Sequence, residues 1–319
     1  METTSPVSVR RRTHYHETIA KTIVNPVKGM AFSWSISPYR GCVHACTYCY
    51  ARASHAFLGY DTGEDFETEI VVKVNAAELL QQEIRHPRLH RQTMIMGTIS
   101  DPYQPAEHCY RLTRKILHIL DSAAHPTQIT TKSTTVTQDT AVLAGMASRA
   151  GCAVNFTVTT LDEDLARMLE PRAPSPHQRL RAMAVLAEAG IPTGIFAAPI
   201  LPGLTDADDD LERLVSAVAN HGGRYVMASP MRIGEGFAKP FLDAARRDFP
   251  HLVARYERQA RVGFRGGVSR QEADEIRGRM NVLLDRYGLS SGPPSFLPPI
   301  VEHQAVLPLS FVRDDRRRA

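Results

Sequence analysis

Short apolar or β-branched segments alternate with amphipathic ones through most of this 319-residue chain, and that alternation restricts the folds open to it. Residues 31–36 alternate as a half-buried strand does, while 94–96, 128–131, 153–159, 194–198 and 225–228 are compact runs bounded by turn residues. Helical patterns lie between them. Asn75 with Glu78 predicts a capping box before a helix over 76–85, and helices are expected over 112–124 and over 139–150, the latter stopped by Gly151. Ser175-Pro176-His177-Gln178 opens a helix that runs to Ala189 and stops at Gly190; Thr205 and Asp208 are expected to cap another over 206–220. Short buried strands alternating with helices indicate a parallel sheet with right-handed crossovers. Six such units are too few for a complete eight-unit barrel, so the expected fold is α/β, a partial (β/α)6 TIM-type barrel. A doubly wound open sheet is the competing topology, but it usually carries a Gly-rich loop after its first strand, where this chain has cysteines. Beyond about residue 235 only helical patterns remain, including one opened by Ser269 and Glu272 and closed at Tyr287-Gly288, before a Pro-rich stretch at 292–299. The expected organisation is therefore an N-terminal arm (1–21), the barrel (22–235), and a C-terminal helical extension with its tail (236–319).

A chain of this length can bury a substantial core without disulfides. It has no apolar run of the ~20 residues that spans a bilayer, and the run Arg10-Arg11-Arg12 is followed by no apolar segment, so a signal peptide is excluded and a cytoplasmic protein with no membrane partner is expected. The net charge of +4 permits a nucleic-acid partner without arguing for one, because the arginines are scattered. The run at 313–318 reads as a solvated end.

Three of the five cysteines fall within eight positions, in Gly41-Cys42-Val43-His44-Ala45-Cys46-Thr47-Tyr48-Cys49-Tyr50, directly after the first strand of the barrel pattern. An odd count concentrated in one loop suits a metal site in a reducing compartment rather than a disulfide framework. The spacing CxxxCxxC supplies three thiolates to a 4Fe–4S cube, whereas most such cubes have four. Cys109 and Cys152 lie far downstream without motif spacing, so one iron is expected to stay open for a ligand. Two other readings stand beside this one. A zinc ion with His44 or His55 as fourth ligand is one, although zinc loops favour paired CxxC elements. The other is a non-catalytic iron–sulfur binding protein or electron carrier, which calls for a fourth thiolate.

At this loop the sequence resembles the radical S-adenosylmethionine (SAM) superfamily, whose CxxxCxΦC motif has an aromatic residue before its last cysteine, as Tyr48 stands here. Over roughly residues 22–232 it resembles more narrowly the spore photoproduct lyase and DNA repair photolyase-like branch. The residues that carry this are Ser37-Pro38-Tyr39-Arg40-Gly41-Cys42, Cys49-Tyr50-Ala51-Arg52, Thr98-Ile99-Ser100-Asp101-Pro102-Tyr103, Thr131-Lys132-Ser133, Glu170-Pro171 with Pro174-Ser175, and Ala198-Pro199-Ile200. The cysteine loop is highly specific; the later motifs persuade by their order.

The resemblance implies a partial (β/α)6 barrel and a 4Fe–4S cluster on Cys42, Cys46 and Cys49, with SAM chelated to the open iron through its amino and carboxylate groups. It implies reduction by a flavodoxin- or ferredoxin-type partner, cleavage of SAM to methionine and a 5′-deoxyadenosyl radical, and hydrogen abstraction from a substrate. A nucleic-acid base or lesion is the substrate it points to; a peptide or small molecule stays open. Carried over residue by residue, Ser100 and Asp101 belong near the SAM amino group and Lys132 with its carboxylate. Thr157 and Thr159 offer hydroxyls to that carboxylate or to the ribose, and Tyr48, Gly97 and Thr98 complete the cofactor-binding set. Thr98 is also a departure, because spore photoproduct lyases have there the cysteine that returns the hydrogen atom. Cys109 is a candidate substitute donor, read otherwise as a small buried hydrophobe, and Cys152 is a weaker candidate. Arg40 and Arg52 flank the loop, to tune the cluster's potential, to contact an anionic substrate, or to hold the loop by hydrogen bonds; His108 is a candidate proton shuttle or an ordinary helix-entry histidine.

Overall fold

In the computed structural model, which describes residues 12–30, 32–90, 92–261 and 267–296, the short apolar runs become strands. They are β1 (His14–Thr18), β2 (Val24–Pro26), β3 (Trp34–Ile36), β4 (Tyr39–Arg40), β5 (Glu69–Lys73), β6 (Met94–Met96), β7 (Thr127–Thr131), β8 (Cys152–Thr157), β9 (Thr193–Ile200) and β10 (Tyr225–Pro230). Arg10, Arg11, the end of the Pro-rich stretch and the run at 313–318 lie outside the described residues.

The main sheet has the order β10-β9-β8-β7-β6-β3-β2. From β3 through β10 every neighbouring pair is parallel, and only β2 runs antiparallel, on β3. Strands laid down in sequence order, with helices crossing between them, give the expected partial barrel. A second sheet, β1-β5-β4, was not legible in the sequence, and neither was the 3-10 run Tyr50–Leu58 that follows the cysteines.

Successive strand residues face opposite ways. Ile129, Val154, Phe156, Ile195 and Val226 pack with helix residues such as Leu117, Leu143, Leu180 and Val215 in the principal core. Their neighbours Thr130, Asn155, Gly194 and Tyr225 are paired across β7–β10 and point the other way, into the half-barrel. There the Tyr225 hydroxyl donates to Asn155 Oδ1 at 2.5 Å and Asn155 Nδ2 to Thr130 Oγ1 at 3.3 Å. A side chain at Gly194 would begin 2.4 Å from the Tyr225 ring, which accounts for glycine inside a strand.

Ser175 and Gln178 form the expected capping box on the helix Pro176–Glu188, and Ser269 caps Arg270–Tyr287. Two other expected caps are corrected. Asn75 instead clasps the backbone of Ala20, accepting its N–H at 2.9 Å and donating to its C=O at 3.0 Å, and the helix Ala76–Glu83 starts without a side-chain cap. Thr205 accepts from Leu201 N–H at 2.8 Å and Asp206 from Gly203 N–H at 2.7 Å, so they close the loop after β9; the helix begins only at Asp208. In both places another backbone donor outcompetes the helix for a short polar side chain.

The C-terminal helices divide their work. Arg270–Tyr287 adds Ile276, Met280 and Leu284 to the principal core. Glu235–Asp248 and Val253–Ala260 build a second core, in which Phe237, Phe241 and Tyr256 cluster with Cys46, Tyr48, Leu169 and Leu201. The extension therefore buttresses the cysteine loop. Among the described residues no helix is long and apolar enough to cross a membrane.

Gly97, just beyond β6, has φ +92°, and a Cβ there would lie 2.0 Å from the Thr130 carbonyl oxygen. Gly97→Ala is expected to lose roughly 3 kcal/mol of stability in chemical denaturation, combining left-handed strain with a backbone clash. Gly59→Ala, at φ +82° with nothing within 4 Å, is the control and should lose only about 1 kcal/mol.

Candidate active site

The loop from Gly41 to Cys49 runs across the C-terminal mouth of the half-barrel with little regular backbone pairing. Its entry turn needs Gly41, at φ +77°, because a Cβ would press within 3.0 Å of the carbonyls of Phe66 and Glu69. Cys42 and Cys46 are buried, Cys49 is half-buried, and all three are free thiols. Arg52, itself buried, holds the loop from behind: it donates to Cys46 O at 3.0 Å and Gly63 O at 2.8 Å and pairs with Glu67. These bonds realise the loop-stabilising reading of Arg52.

The loop after β6 clamps the other side. Ser100 Oγ donates to Gly41 O at 2.6 Å; Gln104 Nε2 donates to the same oxygen at 3.1 Å and to Ser100 Oγ at 2.8 Å, while its Oε1 accepts from Val43 N–H at 3.2 Å. Asp101 accepts from Thr131 Oγ1 at 2.7 Å, Lys132 N–H at 2.7 Å and Tyr103 N–H at 2.9 Å. His44 Nδ1 lies 3.3 Å from its Oδ2, close enough for charge attraction but outside hydrogen-bond geometry. Burial would raise the Asp101 carboxyl, but His44 and these donors hold it down, at about 2. Ser100 and Asp101 thus tie the β6 and β7 loops to the cysteine loop, and their side chains are already occupied by those bonds.

Deeper lies a charged knot. Tyr48 donates its hydroxyl to Glu170 Oε1, and Glu170 Oε2 is ion-paired with Arg179, both side chains being 1% exposed. Arg179 is fixed further by donating to Pro174 O and Thr157 O, each at 2.8 Å. Lys132 Nζ sits 3.9 Å from Glu170 Oε1 and 5.5 Å from the centre of the Tyr48 ring. Burial would push the Glu170 carboxyl up; Arg179 and Lys132 outweigh it and keep it below the usual range. Burial likewise opposes the charge on Lys132, but the facing Cys46 and Glu170 raise its pKa. Glu170 was legible only as part of a motif, and Arg179 as nothing more than one of many helix arginines.

Against this geometry, the Radical SAM superfamily profile matches residues 36–215, more than half of the chain. The chain belongs to the radical SAM superfamily. It is 33% identical over 300 residues to an uncharacterized protein of Mycobacterium tuberculosis, covering 92% of this chain and 88% of that one. It is 32% identical over 189 residues to an uncharacterized protein of Methanocaldococcus jannaschii, covering 59% and 68% respectively. Among solved structures, spore photoproduct lyase with bound AdoMet and dinucleoside spore photoproduct superposes with a TM-score of 0.66 at 18% identity, over 86% of this chain and 81% of that one. That likeness establishes a shared partial-barrel fold.

A radical SAM protein implies a 4Fe–4S cluster and SAM, and the residues present suit both. Burial drives the Cys42 thiol well above its ordinary range, and it pushes Cys46 up to about 12, with Lys132 pulling the other way. Buried thiols of this kind give up their protons when a metal takes the sulfur. Among the described residues no three His, Cys, Asp or Glu side chains are grouped to hold a single metal ion, as the zinc reading requires. His44 is drawn to Asp101, and His55 stacks on Tyr60 with ring centres 5.0 Å apart. A cube takes each sulfur on a different iron, so its thiols need not converge on one point.

Thr157 and Thr159 are buried at the C-terminal end of β8, on the strand face opposite the Val154–Phe156 core contacts. The Thr98 hydroxyl is buried without a hydrogen-bond partner, and the Thr98 carbonyl accepts from the Tyr50 hydroxyl. Cys109 is solvent-exposed in the helix Ala106–Tyr110 and acts electrostatically on Tyr15 and Tyr110, while Cys152 opens β8 at the end remote from Thr157. His108 lies with Arg111 and Arg114 on a separate polar cavity beside Tyr103.

Asp101→Ala strands buried donors on two loops at once. It is expected to cost about 3–5 kcal/mol in denaturant unfolding, and to lower the iron retained per chain after anaerobic reconstitution. An Asp101→Ala protein with unchanged iron content would remove Asp101 from the support of the loop.

Proposed function

We propose that Cys42, Cys46 and Cys49 hold a 4Fe–4S cluster with one open iron, that SAM binds there, and that the enzyme acts on a nucleic-acid base or lesion. The supporting observation is the set of three free thiols on one clamped loop at the barrel mouth, with Cys46 faced by Lys132. When bound, the cluster and SAM supply reductive cleavage to a 5′-deoxyadenosyl radical that takes hydrogen from the substrate. The chain's own residues bind and orient. Lys132 offers its ammonium to the SAM carboxylate, Tyr48 and Gly97 border the cofactor, and Thr157 and Thr159 present hydroxyls from β8. An electron donor of flavodoxin or ferredoxin type completes the system.

Nucleic acid is favoured over a peptide or small molecule because the fold is shared with a lyase that binds a dinucleoside spore photoproduct. Thr98 limits the parallel. A threonine O–H is too strong to surrender hydrogen to a carbon radical, so the proposed chemistry does not include hydrogen return from that position. Cys109, being exposed beside Tyr15 and Tyr110, is a weaker donor candidate than its place in the sequence suggested.

Anaerobic reconstitution with iron and sulfide, then SAM and dithionite, is expected to release 5′-deoxyadenosine. An assembled cluster that leaves SAM intact with several reductants would favour the electron-carrier reading. On the same preparation, Lys132→Ala should weaken SAM binding about tenfold, the loss of one charge-assisted contact, while the cluster still assembles. Unchanged affinity would take Lys132 out of the SAM site.

Binding of a single-stranded oligonucleotide should weaken steeply between 50 and 200 mM salt, as phosphate contacts require. A flat response would point to a peptide or small-molecule substrate.

A further inference from the structure

Four side chains from four segments meet beside Cys46, and three of them carry charge. Glu170 follows the helix Glu163–Leu169, Arg179 comes from Pro176–Glu188, Lys132 follows β7, and Tyr48 belongs to the cysteine loop. Glu170 touches each of the others: it accepts from the Tyr48 hydroxyl, pairs with Arg179, and lies 3.9 Å from Lys132 Nζ. Thr47 N–H, between Cys46 and Tyr48, donates to the carbonyl of Leu169 at 2.9 Å, and Cys46, Tyr48 and Leu169 pack in one core, so the charges gathered at Glu170 lie beside the Cys46 loop. A fully buried ion pair is a costly way to stabilise a fold, since an apolar substitute of similar volume often serves as well. Its place beside a thiol invites a role there.

Resting on the assignment of Cys46 as a cluster ligand, we infer that Glu170 is a positioning residue that holds Lys132 and Tyr48 at the cluster and, with Lys132 and Arg179, sets the cluster's reduction potential.

Reduction adds one electron to the cluster, with no atom gained or lost. Nearby cations favour the added negative charge and nearby anions resist it, most strongly where water is excluded. The knot holds two cations and one anion. Glu170 therefore cancels part of the field of Lys132 and Arg179 and keeps the potential lower than those cations alone would set it. It also restrains the Lys132 ammonium above the Tyr48 ring, so that the same carboxylate links electron entry to the residue proposed to receive the SAM carboxylate. A carboxylate of purely structural use would not couple these properties.

The test is a redox titration of the reconstituted full-length protein, followed by electron paramagnetic resonance of the reduced cluster. Glu170→Gln, which keeps acceptor and shape but removes the charge, should move the midpoint to more positive potential. Glu170→Asp, which keeps the charge, should stay near wild type. Lys132→Met should move the midpoint the opposite way, and because Lys132 is not in the sealed pair, this variant serves if Glu170→Gln does not fold. Midpoints of Glu170→Gln and Lys132→Met that coincide with wild type, at equal iron content, would overturn the inference. A wild-type chain that gives no reduced-cluster signal would instead remove the cluster assignment on which it rests.

Discussion

The loop from Gly41 to Cys49 carries three thiols but no helix or strand of its own, so its buried backbone groups must be satisfied in other ways, and the site is organised around that need. Buried N–H and C=O groups must find partners; some find backbone, Cys42 N–H at Phe66 O and Thr47 N–H at Leu169 O, and side chains supply others. Ser100 and Gln104 both reach the Gly41 carbonyl, Gln104 returns to the Val43 N–H, and Arg52 takes the Cys46 carbonyl. Asp101 then joins the clamp to the end of β7. The loop is held by fixed polar contacts rather than by packing alone, and its sulfurs are presented by a rigid support.

That support exists because the barrel strands end in register at one mouth. The apolar parity of β7–β10 is satisfied by the helices outside, which leaves the inner face to Thr130, Asn155 and Tyr225, and at the upper end to Lys132, Thr157 and Thr159. The C-terminal helices contribute from the flank, with Phe237, Phe241 and Tyr256 packed around Cys46 and Tyr48. These helices are therefore part of the walls of the site.

Much of this was legible in the residues. Period-two and helical patterns located the parallel strands, Ser175 and Gln178 announced their helix, and the cysteine spacing named the loop. What escaped reading was settled by competition or by distance in sequence. Asn75 and Thr205 have the composition of helix caps, but nearer backbone groups at Ala20 and Leu201 claim them. The pairing of β1 with β5 joins segments 55 residues apart, with no local signal for either partner. Glu170 and Arg179 are ordinary residues in a charged helical region until the fold buries them against Tyr48. Ser100 and Asp101 were legible only as members of a motif, and their hydrogen bonds to Gly41 and β7 belong to tertiary structure that no spacing encodes.

In the proposed site three thiolates, and no fourth, hold the cluster. Iron and acid-labile sulfide counted per chain, in wild type and in the single Cys→Ser variants at 42, 46, 49, 109 and 152, test this directly. About four irons and four sulfides are expected in wild type and in the 109 and 152 variants, with collapse of the count in each of the other three. A cluster that survives loss of Cys42, Cys46 or Cys49, or one that disappears with Cys109 or Cys152, would contradict it.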